Sequence, residues 1–155
     1  MSGWSTPEVY EIWSGKAIIY MQETAHDDPG RCFAVKAEPG DIVIVPPSWA
    51  HATISADPQQ PLTFGAWCDR EFGYEYDEVR AHNGLAWYPI VNAEGEIEWL
   101  PNTNYHYRDL QIKISCDYSC LGVEKGKPIY TQFEENPSKF LFVPFPAKIW
   151  EEFIP

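Results

Sequence analysis

Basic side chains are scarce in this chain. Eleven lysines and arginines stand against twenty-three aspartates and glutamates, giving a net charge of −12 and a pI near 4.6. A phosphate backbone needs a basic footprint, so nucleic acid is excluded as an expected partner. An anionic membrane surface is excluded for the same reason. Long apolar runs are missing too. No stretch approaches the roughly eighteen residues of a membrane-spanning helix. The opening residues, MSGWSTPEVY, lack the basic and apolar segments of a secretory leader, which predicts a cytoplasmic protein. Cysteines are few: Cys32, Cys68, Cys116 and Cys120. The C-x3-C spacing of the last two is looser than a zinc knuckle and has no second pair, so reduced structural thiols are expected.

What the chain does have points to β-structure. Its 155 residues suit one domain, and 45% hydrophobic content suffices for a core. Fourteen prolines accompany seven Trp, nine Tyr and eight Phe. Aromatic residues favour strands, and proline marks the turns and edges between them. EVYEIW (8–13), KAIIYMQE (16–23), CFAVKA (32–37), IVIVPP (42–47), WAHATIS (49–55) and LTFGAWC (62–68) read as strands. The turn at Ser14-Gly15 predicts a hairpin between the first two. Residues 73–84 predict a short helical turn ending at Asn83-Gly84, and residues 85–102 a further hairpin. RDLQIKIS (108–115) reads as another strand. The tail, from residue 126 to Phe153, is rich in proline and aromatics and is expected to wrap the barrel. Glu134-Glu135 and Glu151-Glu152 read as solvated faces. Strands at this spacing predict a sandwich or small barrel.

The chemistry concentrates between Glu8 and His51. Glu8 and Gly15 form E-x6-G. Gly40, Pro46 and His51 follow G-x5-P-x-G-x2-H-x3-N, with Ser48 at the glycine position and Ser55 at the asparagine position. These spacings resemble the two signature motifs of the cupin superfamily. In a small β-barrel alternate residues point inward, so Glu8 and His51 could converge at the barrel mouth. A carboxylate and an imidazole suit Fe, Mn, Ni or Zn. The strings TPEVYEIWSGKAIIYMQ and EPGDIVIVPPSWAHATIS are more specific. They resemble the cupin-type glucose-6-phosphate isomerases of archaea and some bacteria, over residues 6–100.

The resemblance implies an all-β fold: a cupin-like double-stranded β-helix, or jelly-roll barrel, over residues 1–100. Short helices and an irregular C-terminal extension over 101–155 would complete it. It implies that Glu8 is a metal ligand and the proton-transferring base, that His51 is a second ligand, and that Tyr10 lines a sugar pocket. Tyr74, near a position where the family often has a substrate-contacting histidine, and Tyr76 are implied as substrate contacts. The implied reaction converts glucose 6-phosphate to fructose 6-phosphate through a cis-enediolate. The implied partners are a sugar phosphate and a second copy of the chain.

The chain also departs from that pattern. The family's first motif opens with His-x-His just before the glutamate, and Met1-Ser2-Gly3-Trp4 holds no histidine. Two of four expected ligands and the phosphate-binding residues are therefore missing. His82 or His106 could stand in for a ligand, while His26 in HDDPG reads as a turn residue. Two further readings follow: a degenerate cupin that binds a sugar without turnover, and a structural subunit that dimerises through its barrel.

Overall fold

A computed structural model describes residues 5–146. Nine strands form in chain order: β1 (Glu8–Ser14), β2 (Ala17–Gln22), β3 (Cys32–Ala37), β4 (Ile42–Val45), β5 (Ala50–Ser55), β6 (Thr63–Trp67), β7 (Trp87–Val91), β8 (Ile97–Pro101) and β9 (Leu110–Ile114). Two short helices join them, α1 (Asp77–Ala81) and α2 (Ile129–Glu135). None of the described helices is long and apolar enough to cross a membrane.

Seven of these strands assemble as a β-sandwich, and β7 and β8 pair separately. One sheet runs β4-β1-β6 and the other β5-β2-β3-β9. All neighbours are antiparallel except β3 and β9. Side chains alternate across a strand, and the burial follows that period of two. Tyr10 and Ile12, Ile19 and Met21, Phe33 and Val35, and Val43 and Val45 share one core between the sheets. Fully burying an aliphatic side chain of this size contributes about 1.5–3 kcal/mol.

The intervening residues face outward and are also covered. Val9, Ile42 and Ile44 pack under the tail, against Tyr118, Val123, Ile129 and Phe140. Tyr20 and Cys32 pack under the β7–β8 region, against Ala86, Tyr105 and Trp99. This explains why every residue of β2 is buried. The cover is locked by Gln22, whose Oε1 accepts from the Ala86 amide at 2.8 Å and the Tyr20 hydroxyl at 3.0 Å.

The expected hairpin between β1 and β2 does not form. β1 pairs with β4 and β6, whereas β2 pairs with β3 and β5. The Ser14–Lys16 turn carries the chain from one sheet to the other. Gly15 adopts φ +77°, and a Cβ there would meet the Pro61 carbonyl oxygen at 2.7 Å. The turn forms at Ser14-Gly15, but a local turn does not choose which sheet the next strand enters. The β7–β8 hairpin and the left-handed stop at Asn83-Gly84 form as expected. Met1–Trp4, Glu151-Glu152 and the end of the aromatic tail lie outside the described residues.

Candidate functional site

Glu8 and Tyr10 lie two residues apart on β1 and so face the same way, into the sandwich. His51 arrives from the opposite sheet. It stands across from Met21 of β2, an inward residue, and therefore faces inward too. Thr53, two residues on, shares that face and opposes the upward push on the Tyr10 hydroxyl. The VPPSWAH segment makes this placement possible. Ser48 turns the chain at φ +68°, where the related motif carries glycine, and its amide donates to Ser5 Oγ at 2.5 Å.

Tyr10, His51 and Tyr74 meet at the Glu8 carboxylate. Glu8 Oε2 accepts from the Tyr10 hydroxyl at 2.5 Å and faces His51 Nε2 at 2.5 Å. Glu8 Oε1 accepts from the Tyr74 hydroxyl at 2.8 Å. His51 Nδ1 lies 3.0 Å from the Trp49 carbonyl, which can only accept, so Nδ1 carries a proton. Nε2 is then the ring's remaining acceptor or, when protonated, a donor to the carboxylate. Burial alone would raise the Glu8 carboxyl, but its bonds from His51, Tyr10 and Tyr74 outweigh that and bring it down to about 2. Burial alone would lower the His51 imidazole, and the facing carboxylate and the Trp49 carbonyl raise it instead. Tyr10 is raised by burial and by the adjacent Glu8 charge.

Tyr76 reaches the site differently. It does not touch Glu8; its ring stacks on Tyr74 at 6.2 Å, one ring further out. His82 and His106 do not complete a ligand set. His82 engages Asp27 and Glu78, and His106 sits on an exposed loop. Among the described residues no three His, Cys, Asp or Glu side chains assemble as a metal cluster. A cavity of about 230 Å³ lies elsewhere, lined by Trp87, Asn102 and Tyr107.

Three residues at the site were not anticipated. Cys68 Sγ lies 3.4 Å from the Tyr74 hydroxyl. Since Tyr74 donates its one proton to Glu8, the thiol donates to Tyr74. Phe64 packs on Tyr10 at 5.6 Å between ring centres. Thr53 and Phe64 were accessible to strand alternation from His51 and from the β1–β6 pairing. Cys68 was not, because it follows β6 in irregular chain.

The family model described as glucose-6-phosphate isomerase matches residues 2–108. The chain is 29% identical over 98 residues to the glucose-6-phosphate isomerase of Pyrococcus abyssi, covering 63% of this chain and 48% of that protein. It is 29% identical to that of Pyrococcus furiosus over the same shares. It is 32% identical over 90 residues to that of Thermococcus litoralis, covering 58% of this chain and 44% of that protein. The chain spans about half the length of the curated relatives it matches.

Proposed function

The chain belongs to the glucose-6-phosphate isomerase family, and on that premise we propose that its Glu8 cluster interconverts glucose 6-phosphate and fructose 6-phosphate. The observation that carries this reading is the inward carboxylate, held by three donors of which one, Tyr74, comes from outside the sheets. In this reading Glu8 removes the proton from C2 of the open-chain aldose and returns it at C1, while the O2 hydroxyl proton passes to O1 as the enediolate forms and collapses. Tyr74, once released from Glu8, supplies a hydroxyl donor beside the developing enediolate oxygens, while Tyr10 keeps its bond to Glu8. A base should titrate near the working pH, and closed Glu8 is too weak for that. When substrate takes the place of Tyr74, Glu8 loses a donor while staying buried, and its basicity rises. Glu8→Gln is then expected to lower turnover by about 10²–10⁴-fold.

The residues present fit a divalent ion of the Fe, Mn, Ni or Zn class as a pair of donors. Anchoring of His51 Nδ1 by the Trp49 carbonyl leaves Nε2 as the ring's ligand atom, the usual way a metal-bound imidazole is oriented. Glu8 and His51 would hold the ion, and bound there it would supply electrophilic stabilisation of enediolate charge.

We extend the proposal to architecture. The sandwich is a cupin-like jelly roll built mainly from residues 1–100, residues 101–155 form an extension that adds β9 to its second sheet, and the protein is cytoplasmic. Two exposed isoleucines on the edge strand β9, Ile112 and Ile114, favour a homodimer, which sedimentation would detect.

The deciding experiment is a coupled assay of glucose 6-phosphate conversion with each metal added in turn, repeated with chelator and with Glu8→Gln. Turnover lost in both controls supports the reading. Run in D₂O, proton transfer incorporates deuterium into product, whereas a hydride shift does not. The two-donor set also favours a second reading, a member that binds sugar phosphate without turnover. A thermal shift with substrate and no conversion under any metal would select it.

A further inference from the structure

α1 poses a physical problem: it is five residues long and buries none of them. An isolated helix of this length is unstable in water. Yet α1 follows the irregular arm, residues 68–76, that carries Tyr74 and Tyr76, so its position sets theirs. Apolar packing of its own does not hold it.

His82, the residue that ends the helix, is 7% exposed and holds it instead. Its Nδ1 lies 2.7 Å from the Glu78 carbonyl, and its Nε2 lies 3.0 Å from Asp27 Oδ1. Both partners accept, so both ring nitrogens must donate, which only the imidazolium can do. The ring stacks on Tyr105 at 4.2 Å. The His82 carbonyl takes amide donors from Asn102 and Asn104, each at 2.9 Å. One residue thus ties α1 to the β2–β3 loop and to the chain after β8.

We propose that His82 is a charge-dependent clasp, a positioning residue that holds the tyrosine arm against Glu8. The path runs through contacts. The Tyr76 carbonyl accepts from the Arg80 amide at 2.9 Å, and the Arg80 guanidinium lies over the Tyr76 ring at 5.5 Å. Tyr76 stacks on Tyr74, and Tyr74 donates to Glu8. The inference rests on the site reading above for its meaning, but not for its test.

The charged surroundings favour the imidazolium. Glu78 and Arg80 come from α1, and Arg80 is paired with Asp77 at 3.7 Å. Asp27 and Asp28 come from the β2–β3 loop, and Arg108 is bound to Asp28. The His106 amide donates to the Asp27 carbonyl at 2.7 Å. The Glu78 carbonyl and Asp27 raise the ring above the ordinary histidine value. The clasp is therefore closed below that value and opens as pH rises through the elevated one. A neutral ring would leave a lone pair facing either a carbonyl or a carboxylate.

The test reads the arm through Cys68. In a background with Cys116→Ser and Cys120→Ser, iodoacetamide alkylation of native Cys68 is divided by its rate in urea, which removes the intrinsic pH dependence. Buried Cys32 stays silent in the native chain. The His82 ring is followed by NMR over roughly pH 6 to 9. The ratio should rise about tenfold as the ring loses its proton, the scale of one lost charge-assisted hydrogen bond. In His82→Gln it should be high and independent of pH, with β2 amides still protected from exchange. A flat ratio in the parent chain, or parent-like protection in His82→Gln, would overturn the clasp. Neither readout uses substrate, so an inactive isomerase would not count against it.

Discussion

Glu8 has opposing forces on its carboxyl, and they set an acid limit on the protein. Burial favours the neutral acid, while Tyr10, His51 and Tyr74 favour the carboxylate, and the folded value falls from 4.5 to about 2. A folded value below the unfolded one means stability is fully present above the unfolded value. It is lost as pH falls from 4.5 towards about 2. Urea titrations across that window should show the loss in the parent chain and a flatter profile in Glu8→Gln. His51 carries the opposite sign: its contribution is lost as pH rises through its elevated value. The pair is thus most stabilising between the two limits, where carboxylate and imidazolium coexist.

The turn before β5 shows how an element can be in place yet strained. Ser48 holds φ +68°, a left-handed conformation that costs an ordinary L-residue about 1–2 kcal/mol. Its hydrogen bonds to Ser5 offset part of that cost. Ser48→Gly should therefore stabilise the fold by up to about 1 kcal/mol, read as a higher denaturation midpoint. Placing His51 depends on this turn, because β5 must start with His51 opposite Met21 to face inward. The tail elements behave differently, since they close the outer face of a sheet. Phe140 is 2% exposed and stacks on Trp67 at 5.9 Å. Phe140→Ala should cost about 3–5 kcal/mol in chemical denaturation. One cooperative transition should remain, because the tail and β1 share that cluster through Val9.

At the scale of the whole molecule, charge opposes the proposed substrate. A net charge of −12 repels a sugar phosphate, and salt screens that repulsion over a Debye length of about 8 Å at physiological strength. KM for glucose 6-phosphate should fall about twofold as a non-coordinating salt is raised, with kcat unchanged. Much of the fold was legible because its signals are local. Alternation placed Glu8, Tyr10 and Ile12 on one face, and the Pro/Gly turns marked the strand ends. The E-x6-G and VPPSWAH strings single out Glu8 and His51. Other features depended on distant chain. Whether β2 pairs with β1 or crosses to the other sheet is decided by burying both of its faces, one against β1 and β4 across the sandwich and the other under residues from 85 onward. Tyr74 reaches Glu8 across 66 positions, from an irregular arm with no periodicity to read. Cys68 and the clasp at His82 likewise follow from how the arm is tethered. The sequence by itself singled out Glu8, Tyr10, His51 and Tyr74 and determined which way each strand faces, because side-chain direction follows from the strand's own period. Only the tertiary structure decided what completes the Glu8 cluster, because a hydrogen bond between distant segments depends on how both are packed.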